Sequence, residues 1–378
     1  HVSAVGGAMW GLSDLAFLLD DCCFRGLRQW LSDGSRPGII FSGTGSSCAL
    51  PMLRCSIGGE GGVPGCQSCS TALRHGRNNP NWRNNVGLVV RWHKDGQLKH
   101  VQIDCGKTFR DSVLMWYKEH KILTLDAVFL THDHADAILG LDDLRQLQPF
   151  DPVTRQVLGP PLRCFCDRRT LQHCRRAFPY LFPKPDGGKA LGLAQAFDQC
   201  NSDCNGPCLC MPEITGNSAA TVKRFVASMQ WKALPEDATA FDVDGFPFHA
   251  LPVLHGADYT CFGYGFGPPG ARVVYISDYT ALLPETESLL LRWSQQPDKI
   301  AVLVLDALFP DATPSTVHAN LQESLELVRR LQPTKAFFVG LGHYCEHYAM
   351  NLRLRRLWYT EGLDVQLARD GLFVPVAM

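Results

Sequence analysis

Apolar residues recur along this chain in two rhythms. Between residues 1 and 36, Leu12, Leu15, Leu18, Leu19, Cys22, Leu27, Trp30 and Leu31 fall largely at three- and four-residue spacings. That pattern predicts an amphipathic helix stopped by Gly34 and Pro37, an N-terminal helical extension over 1–36. From Ile39 the rhythm shortens, and apolar runs at 39–42, 86–92, 101–104 and 127–131 predict strands, the middle two joined through a Lys94-Asp95-Gly96 turn. Helices are expected at 139–147 and 168–178. Residues from about 183 to 216 hold no sustained period and are rich in Gly, Pro, Asp and Cys, the mark of a surface insertion. Strands follow at 221–227, 246–254, 262–266, 273–277, 302–305, 365–368 and 372–375, with helices at 282–294, 320–331 and 348–361. Strands and helices thus alternate in two comparable halves, which predicts an α/β protein whose sheets are covered by helices.

Composition narrows the class. Of 378 residues, 46% are hydrophobic and 19% charged, enough apolar material for a large core and too much for a disordered chain. Thirty-six basic against 37 acidic residues leave a net charge of −1, so no global positive field draws the chain to nucleic acid or anionic lipid. No apolar run approaches the roughly 20 residues needed to cross a bilayer. The expected compartment is the cytoplasm, with an organelle left open; the start at His1 says nothing about a targeting peptide. Sixteen cysteines cluster at close spacings inside a long chain, which favours metal binding over a secreted disulfide framework.

The densest chemical signal is Thr131-His132-Asp133-His134-Ala135-Asp136, directly after the apolar run ending at Leu130. Two histidines two residues apart at a strand exit can aim their imidazoles at one metal, while Asp136 offers a hard oxygen to a neighbouring one. This segment resembles the metallo-β-lactamase superfamily, whose signature is His-x-His-x-Asp-His at a strand end. Within it the chain is most similar to the branch of the phosphoribosyl cyclic phosphodiesterases and the pyrroloquinoline-quinone biosynthesis B proteins. Gly43-Thr44-Gly45-Ser46-Ser47, Pro252-Val253-Leu254-His255-Gly256, Tyr275-Ile276-Ser277-Asp278 and Gly340-Leu341-Gly342-His343 carry the resemblance from about residue 41 to 375.

The resemblance implies an αβ/βα sandwich over 37–378, two facing mixed β-sheets with outer helices. It implies a first metal site of His132, His134, His255 and Asp278, and a second of Asp136, Asp278 and His343. Ala137 stands where the signature has its final histidine, so the second site is short of one imidazole. One or two divalent ions, zinc or manganese, are expected, and such ions generate a hydroxide nucleophile and polarise a phosphoryl oxygen. Besides Asp136, the resemblance points to His318 as general acid; Asp306 is read as an orienting group and Arg145 as a phosphate clamp. It also implies a structural zinc on Cys55, Cys66, Cys69 and His347, with Cys48 a substitute thiolate and a role for His347 at the catalytic centre as the alternative. Cys200, Cys204, Cys208 and Cys210 hold enough sulfur for a further structural zinc.

The function that follows is a metal-dependent hydrolase, a phosphodiesterase acting on a small cyclic or nucleotide-like phosphodiester, with a homodimer as a further expectation. The neutral charge argues against a nucleic-acid substrate. The alternatives are a redox-metal protein like those of pyrroloquinoline-quinone biosynthesis, or a non-catalytic scaffold held together by zinc.

Overall fold

The computed structural model describes residues 34–58, 65–154, 156–182 and 226–378. Most of the helix expected over 1–36, most of the strand expected over 221–227, and Cys200, Cys204, Cys208 and Cys210 lie outside the described residues. The first half of the chain supplies β1 (Gly38–Gly43), β2 (Gly87–Lys94), β3 (Gln97–Ile103), β4 (Ala127–Phe129), β5 (Leu162–Cys166) and β6 (Met229–Ala233). The second supplies β7 (Ala240–Val243), β8 (Phe246–Leu254), β9 (Thr260–Phe266), β10 (Arg272–Ile276), β11 (Ala281–Leu282), β12 (Ile300–Asp306), β13 (Lys335–Val339), β14 (Val365–Leu367) and β15 (Phe373–Pro375). One sheet runs β15-β1-β2-β3-β4-β5-β6 and the other β11-β8-β9-β10-β12-β13-β14, with β7 pairing along β8.

Both sheets are mixed. β1, β2 and β3 pair antiparallel, and β3 to β6 continue in parallel. In the second sheet β8, β9 and β10 are antiparallel neighbours, while β10, β12, β13 and β14 run parallel. The turn between β2 and β3 sets Asp95 at φ 50° and Gly96 at φ 75°, the positive pair that a two-residue hairpin matched to strand twist requires.

The period-two alternation of each strand sorts its side chains between two cores. Ile39 and Phe41 of β1 and Val302 and Val304 of β12 face the space between the sheets, where Phe129, Phe248, Tyr264 and Phe337 also pack. Ile40 turns the other way, with Val89, Val128 and Cys164, under Phe109, Leu141, Leu144 and Cys174. On the far side Leu303, Leu305 and Phe338 meet Leu290 and Trp293 of α4 (Pro284–Trp293), Leu327 and Val328 of α5 (Leu321–Leu331), and Met350 and Leu354 of α6 (His347–Glu361). The remaining helices used below are α1 (Gln67–His75), α2 (Ala135–Ile138) and α3 (Arg168–Ala177). Strands buried on both faces read as continuous apolar runs, which is how 302–305 and 336–341 look in the sequence. This four-layer order is the sandwich that the resemblance implied.

Two local expectations change. The helix expected at 139–147 is instead a 3₁₀ stretch, Leu141–Leu147, separated from α2 by Gly140. A side chain at Gly140 would lie 2.4 Å from the Gly106 carbonyl, so the chain is pressed against the 105–109 loop there and does not run on as one helix. β5, β6 and β7 carried no clear period in the sequence, because short strands of four or five residues offer too few alternations to read.

The fold positions the chemistry by direction. β3, β4, β8, β10, β12 and β13 end near one rim, and their carboxyl ends lead to Asp104, His132, His255, Asp278, Asp306 and His343 respectively. Carboxyl ends of parallel strands are where α/β sheets build their sites.

Candidate metal centre

β4 stops at Phe129, and the chain then passes Leu130 and Thr131 to His132. Asp104, held in the left-handed region at φ 59°, accepts the Thr131 N–H at 2.8 Å and the Thr131 hydroxyl at 2.8 Å. Burial pushes the Asp104 carboxyl well up, and the two Thr131 bonds pull it back. The Thr131 hydroxyl has given its single hydrogen to Asp104, so its contact with His132 Nδ1 at 2.8 Å makes Nδ1 the donor. His132 Nε2 is left as a bare lone pair, buried and without a hydrogen-bond partner.

His134 is exposed and caps α2, whose first turn holds Asp136. His255 follows β8, and its N–H donates to the Tyr259 carbonyl at 2.7 Å, closing a tight loop. The Tyr259 hydroxyl donates to Asp133 Oδ1 at 2.7 Å and accepts the Asp133 N–H at 2.9 Å. Tyr259 therefore ties the loop of the third histidine to the loop of the first two. The imidazoles converge, with ring centres 4.6 Å apart for His132 and His134, 5.3 Å for His132 and His255, and 5.1 Å for His134 and His255. One ligand atom of each lies within 4.8 Å of the others, and His132, Asp136 and Asp278 form a second such group.

Burial holds His132 and His255 below the usual imidazole range, so both present neutral lone pairs at neutral pH. Burial works against Asp278, but the ring of histidines around it, of which His318 is the charged one, and the Ser277 hydroxyl hold its carboxyl below the usual range. His255 Nδ1 and Asp278 Oδ2 are buried without partners, like His132 Nε2. Leaving each such group unpaired costs about 1–3 kcal/mol or more. Three converging imidazoles with a carboxylate beside them, and buried unpartnered atoms on His132, His255 and Asp278, fit a divalent cation of the zinc or manganese kind.

On the other side of Asp278 stands His318. Its Nδ1 is 2.7 Å from Asp306 Oδ2 and 3.7 Å from Asp278 Oδ1, and its ring centre is 5.0 Å from that of His255. Burial opposes a charge on His318, but Asp306 and Asp278 together raise it to about 9. Asp306, fully enclosed at the end of β12, sits under Gly340, where any Cβ would lie 2.1 Å from Asp306 Oδ1. Gly340 at φ 69° is thus the residue that lets β13 pass over the pair. His318 and Asp306, read in the sequence as general acid and orienting group, are thus brought together beside Asp278. Arg145 lies on the 3₁₀ stretch Leu141–Leu147, paired with Asp142 one turn earlier.

The thiolate site corrects the expected ligand set. His343, read as the last ligand of the second metal site, has its Nδ1 3.4 Å from Cys55 Sγ and 3.5 Å from Cys66 Sγ. Cys55, Cys66, Cys69 and His343 form one group of potential ligands. His347, expected there, begins α6 instead. Its N–H donates to Asn81 Oδ1 at 2.8 Å, its Nε2 meets Asn351 Nδ2 at 3.0 Å, and burial pushes its imidazole down to about 3. The physical reason is the start of the helix: position 347 is turned into the fold against Asn81, while the preceding turn leaves 343 facing α1 and its cysteines. Burial and the neighbouring Cys66 and Cys55 push the Cys69 thiol up to about 12, although the Met52 N–H favours its thiolate. Crowded thiols of this kind are relieved by a soft cation. Cys48 is exposed and outside this group.

Asp104, Tyr259 and Asp133 are the participants missed in the sequence. Asp104 had a readable signal, since it follows an apolar strand just as Asp278 and Asp306 do. Tyr259 and Asp133 had none, because their bond spans 126 positions.

Known proteins resemble this chain in part of its sequence and in its fold. Residues 99–199 match the model of the beta-lactamase superfamily domain. Among solved structures, a diphosphatase of the PhnP family is similar at TM-score 0.61 and 23% identity, over 90% of this chain and 96% of that one. Zinc-bound PqqB from Methylobacterium extorquens is similar at TM-score 0.54 and 14% identity, over 89% and 99%. The short form of human tRNase Z is similar at TM-score 0.51 and 13% identity, over 90% and 99%. Among curated proteins, an octanoyltransferase of Porphyromonas gingivalis is 32% identical over 108 residues, which are 29% of this chain. The match spans only 18% of that protein's length. No described helix is long and apolar enough to cross a membrane.

Proposed function

We propose that this chain, which has the metallo-β-lactamase fold and carries a beta-lactamase superfamily domain, is a metal-dependent hydrolase of small phosphodiesters, cyclic or nucleotide-like. The observation that carries the reading is the convergence of His132, His134 and His255, with Asp278 against His132 and His255 and the His318–Asp306 pair beside it. A divalent cation held there would supply Lewis acidity, making water a nucleophile at neutral pH and polarising a phosphoryl oxygen.

The chain's own residues do the rest. Asp104 and Thr131 fix the His132 tautomer, so Nε2 stays a lone pair and the ring cannot turn away. Tyr259 and Asp133 hold the two histidine loops together, so the donors are arranged before substrate arrives. His318 keeps its Nδ1–H on Asp306 and carries its transferable proton on Nε2, to be given to the leaving oxygen. The fold alone does not choose a substrate. The likeness to a diphosphatase and to a tRNase Z supports phosphate chemistry, and the net charge of −1 favours a small substrate over a polynucleotide.

The test is turnover of bis(p-nitrophenyl) phosphate and of a 2′,3′-cyclic nucleotide by protein supplied with manganese or zinc. Hydrolysis that His132→Ala abolishes supports the reading. An inert metal-loaded protein, or activity indifferent to His132, contradicts it.

A further inference from the structure

The two-ion arrangement implied by the sequence resemblance asks for two imidazoles at the second position, and this chain withholds both. Ala137, in the place of the first, is 1% exposed and packed in the apolar cluster with Ile138, Leu141 and Cys105, its carbonyl accepting the Cys105 N–H at 2.7 Å. The last histidine, His343, is committed to Cys55 and Cys66. The segment between β13 and His343 is pinned so that it cannot lend another donor. Leu341 donates its N–H to the Thr44 carbonyl at 3.1 Å, accepts the Ser46 N–H at 3.3 Å, and buries its side chain in the outer core of the second sheet.

What remains beside the three histidines is Asp136, Asp278 and His318. Asp136 Oδ1 is 4.0 Å from His132 Nε2, so this carboxylate lies on the side of the histidines already gathered around one point. His318 has one ring nitrogen engaged by Asp306 at 2.7 Å. Asp104 accepts from Thr131 through both oxygens, and Asp306 holds His318 through Oδ2 while its Oδ1 is buried beneath Gly340. Asp136 and Asp278 balance one divalent charge, and a second ion would have to share His132 or His255 with the first or take the ring of His318, which Asp306 already holds.

We infer that the centre is built for a single resident cation, held by His132, His134 and His255 with Asp278 and Asp136 beside it, and that the second ion of the fold's usual pair has been given up as His343 was taken into the thiolate site. The inference rests on the metal-centre reading above but not on turnover.

Crystals of the full chain soaked in Mn²⁺, with anomalous maps collected on either side of the manganese and zinc edges, locate each ion separately. Total metal content is not the readout, since thiolate clusters add zinc of their own. One manganese peak among His132, His134 and His255, with the electron-paramagnetic spectrum of an isolated ion, supports the inference. A second peak about 3.5–4 Å away near Asp136 and Asp278, or a spectrum showing two coupled ions, overturns it. No ion among the histidines overturns both this and the hydrolase reading, whereas one ion without turnover supports the inference and contradicts only the hydrolase. His343→Ala provides a second arm. The histidine-bound ion should stay and the thiolate-bound zinc should be lost, and loss of the histidine-bound ion instead would return His343 to the centre and overturn the inference.

Discussion

The histidine centre and the thiolate site lie on the same molecule and are built in opposite ways. Each histidine-centre donor stands just beyond the end of a strand buried on both faces, in a loop whose bonds are already made: Thr131 on Asp104, Tyr259 on Asp133, His255 on the Tyr259 carbonyl. The thiolate donors come from a five-residue helical turn, from α1 and the residue before it, and from the turn before α6. Leu53 and Ile57, on either side of Cys55, are 75% and 81% exposed and contribute little to any core. A site organised by sheets can wait for its ion, whereas a site of loops is organised by its ion. The first suits catalysis, which needs prearranged geometry, and the second suits a structural cross-link.

That contrast can be broken in a graded series. His132→Ala should reduce phosphodiester turnover to that of metal-free protein while leaving the thermal midpoint nearly unchanged; a collapse in stability would mean that the histidine centre too is organised by its ion. His318→Ala should cost about 10²–10⁴-fold on substrates with poor leaving groups and much less on p-nitrophenyl esters, which leave without a proton. An equal loss on both would assign His318 to metal or substrate binding instead. Cys66→Ser should remove the thiolate-bound zinc and lower stability by several kcal/mol, read in denaturant unfolding, while the folded fraction keeps its turnover. Thr131→Val deletes the oxygen that sets the His132 tautomer and should weaken metal affinity by about 10–100-fold, measured by chelator competition. Smallest of all, His347→Ala should leave both metal contents intact and cost only the packing and hydrogen bonds at the start of α6. Loss of the thiolate-bound zinc in that variant would restore the ligand set expected from the sequence.

The two sites were also legible to different depths. His132 and His134 stand out by themselves at the end of the apolar run 127–131, whereas His255 and Asp278 were picked through the family resemblance, each at the end of an apolar run, 246–254 and 273–277. The strand carries the residue to the rim, so position along the chain translates into position in space. The thiolate site had no such carrier. His343 and His347 stand four positions apart on either side of a helix start, and which of them meets the cysteines depends on where α6 begins, a detail settled by Asn81 some 266 positions away. Arg145, read as a phosphate clamp, pairs with Asp142 three residues before it, the local partner that a helical turn offers an arginine. The layered fold was readable from the alternation of strands and helices, but short edge strands such as β7 and the split at Gly140 depend on contacts that no local pattern announces.

Turnover and ion binding can be followed together on one sample. Protein freed of its labile metal, its thiolate-bound zinc left in place, is titrated with Mn²⁺ while hydrolysis of a cyclic phosphodiester and the paramagnetic signal of bound manganese are both recorded. The structure predicts that activity rises in proportion to the first equivalent bound among His132, His134 and His255 and then stays flat. Activity that appears only with a second equivalent, or manganese that fills the histidine centre with no hydrolysis at all, would contradict it.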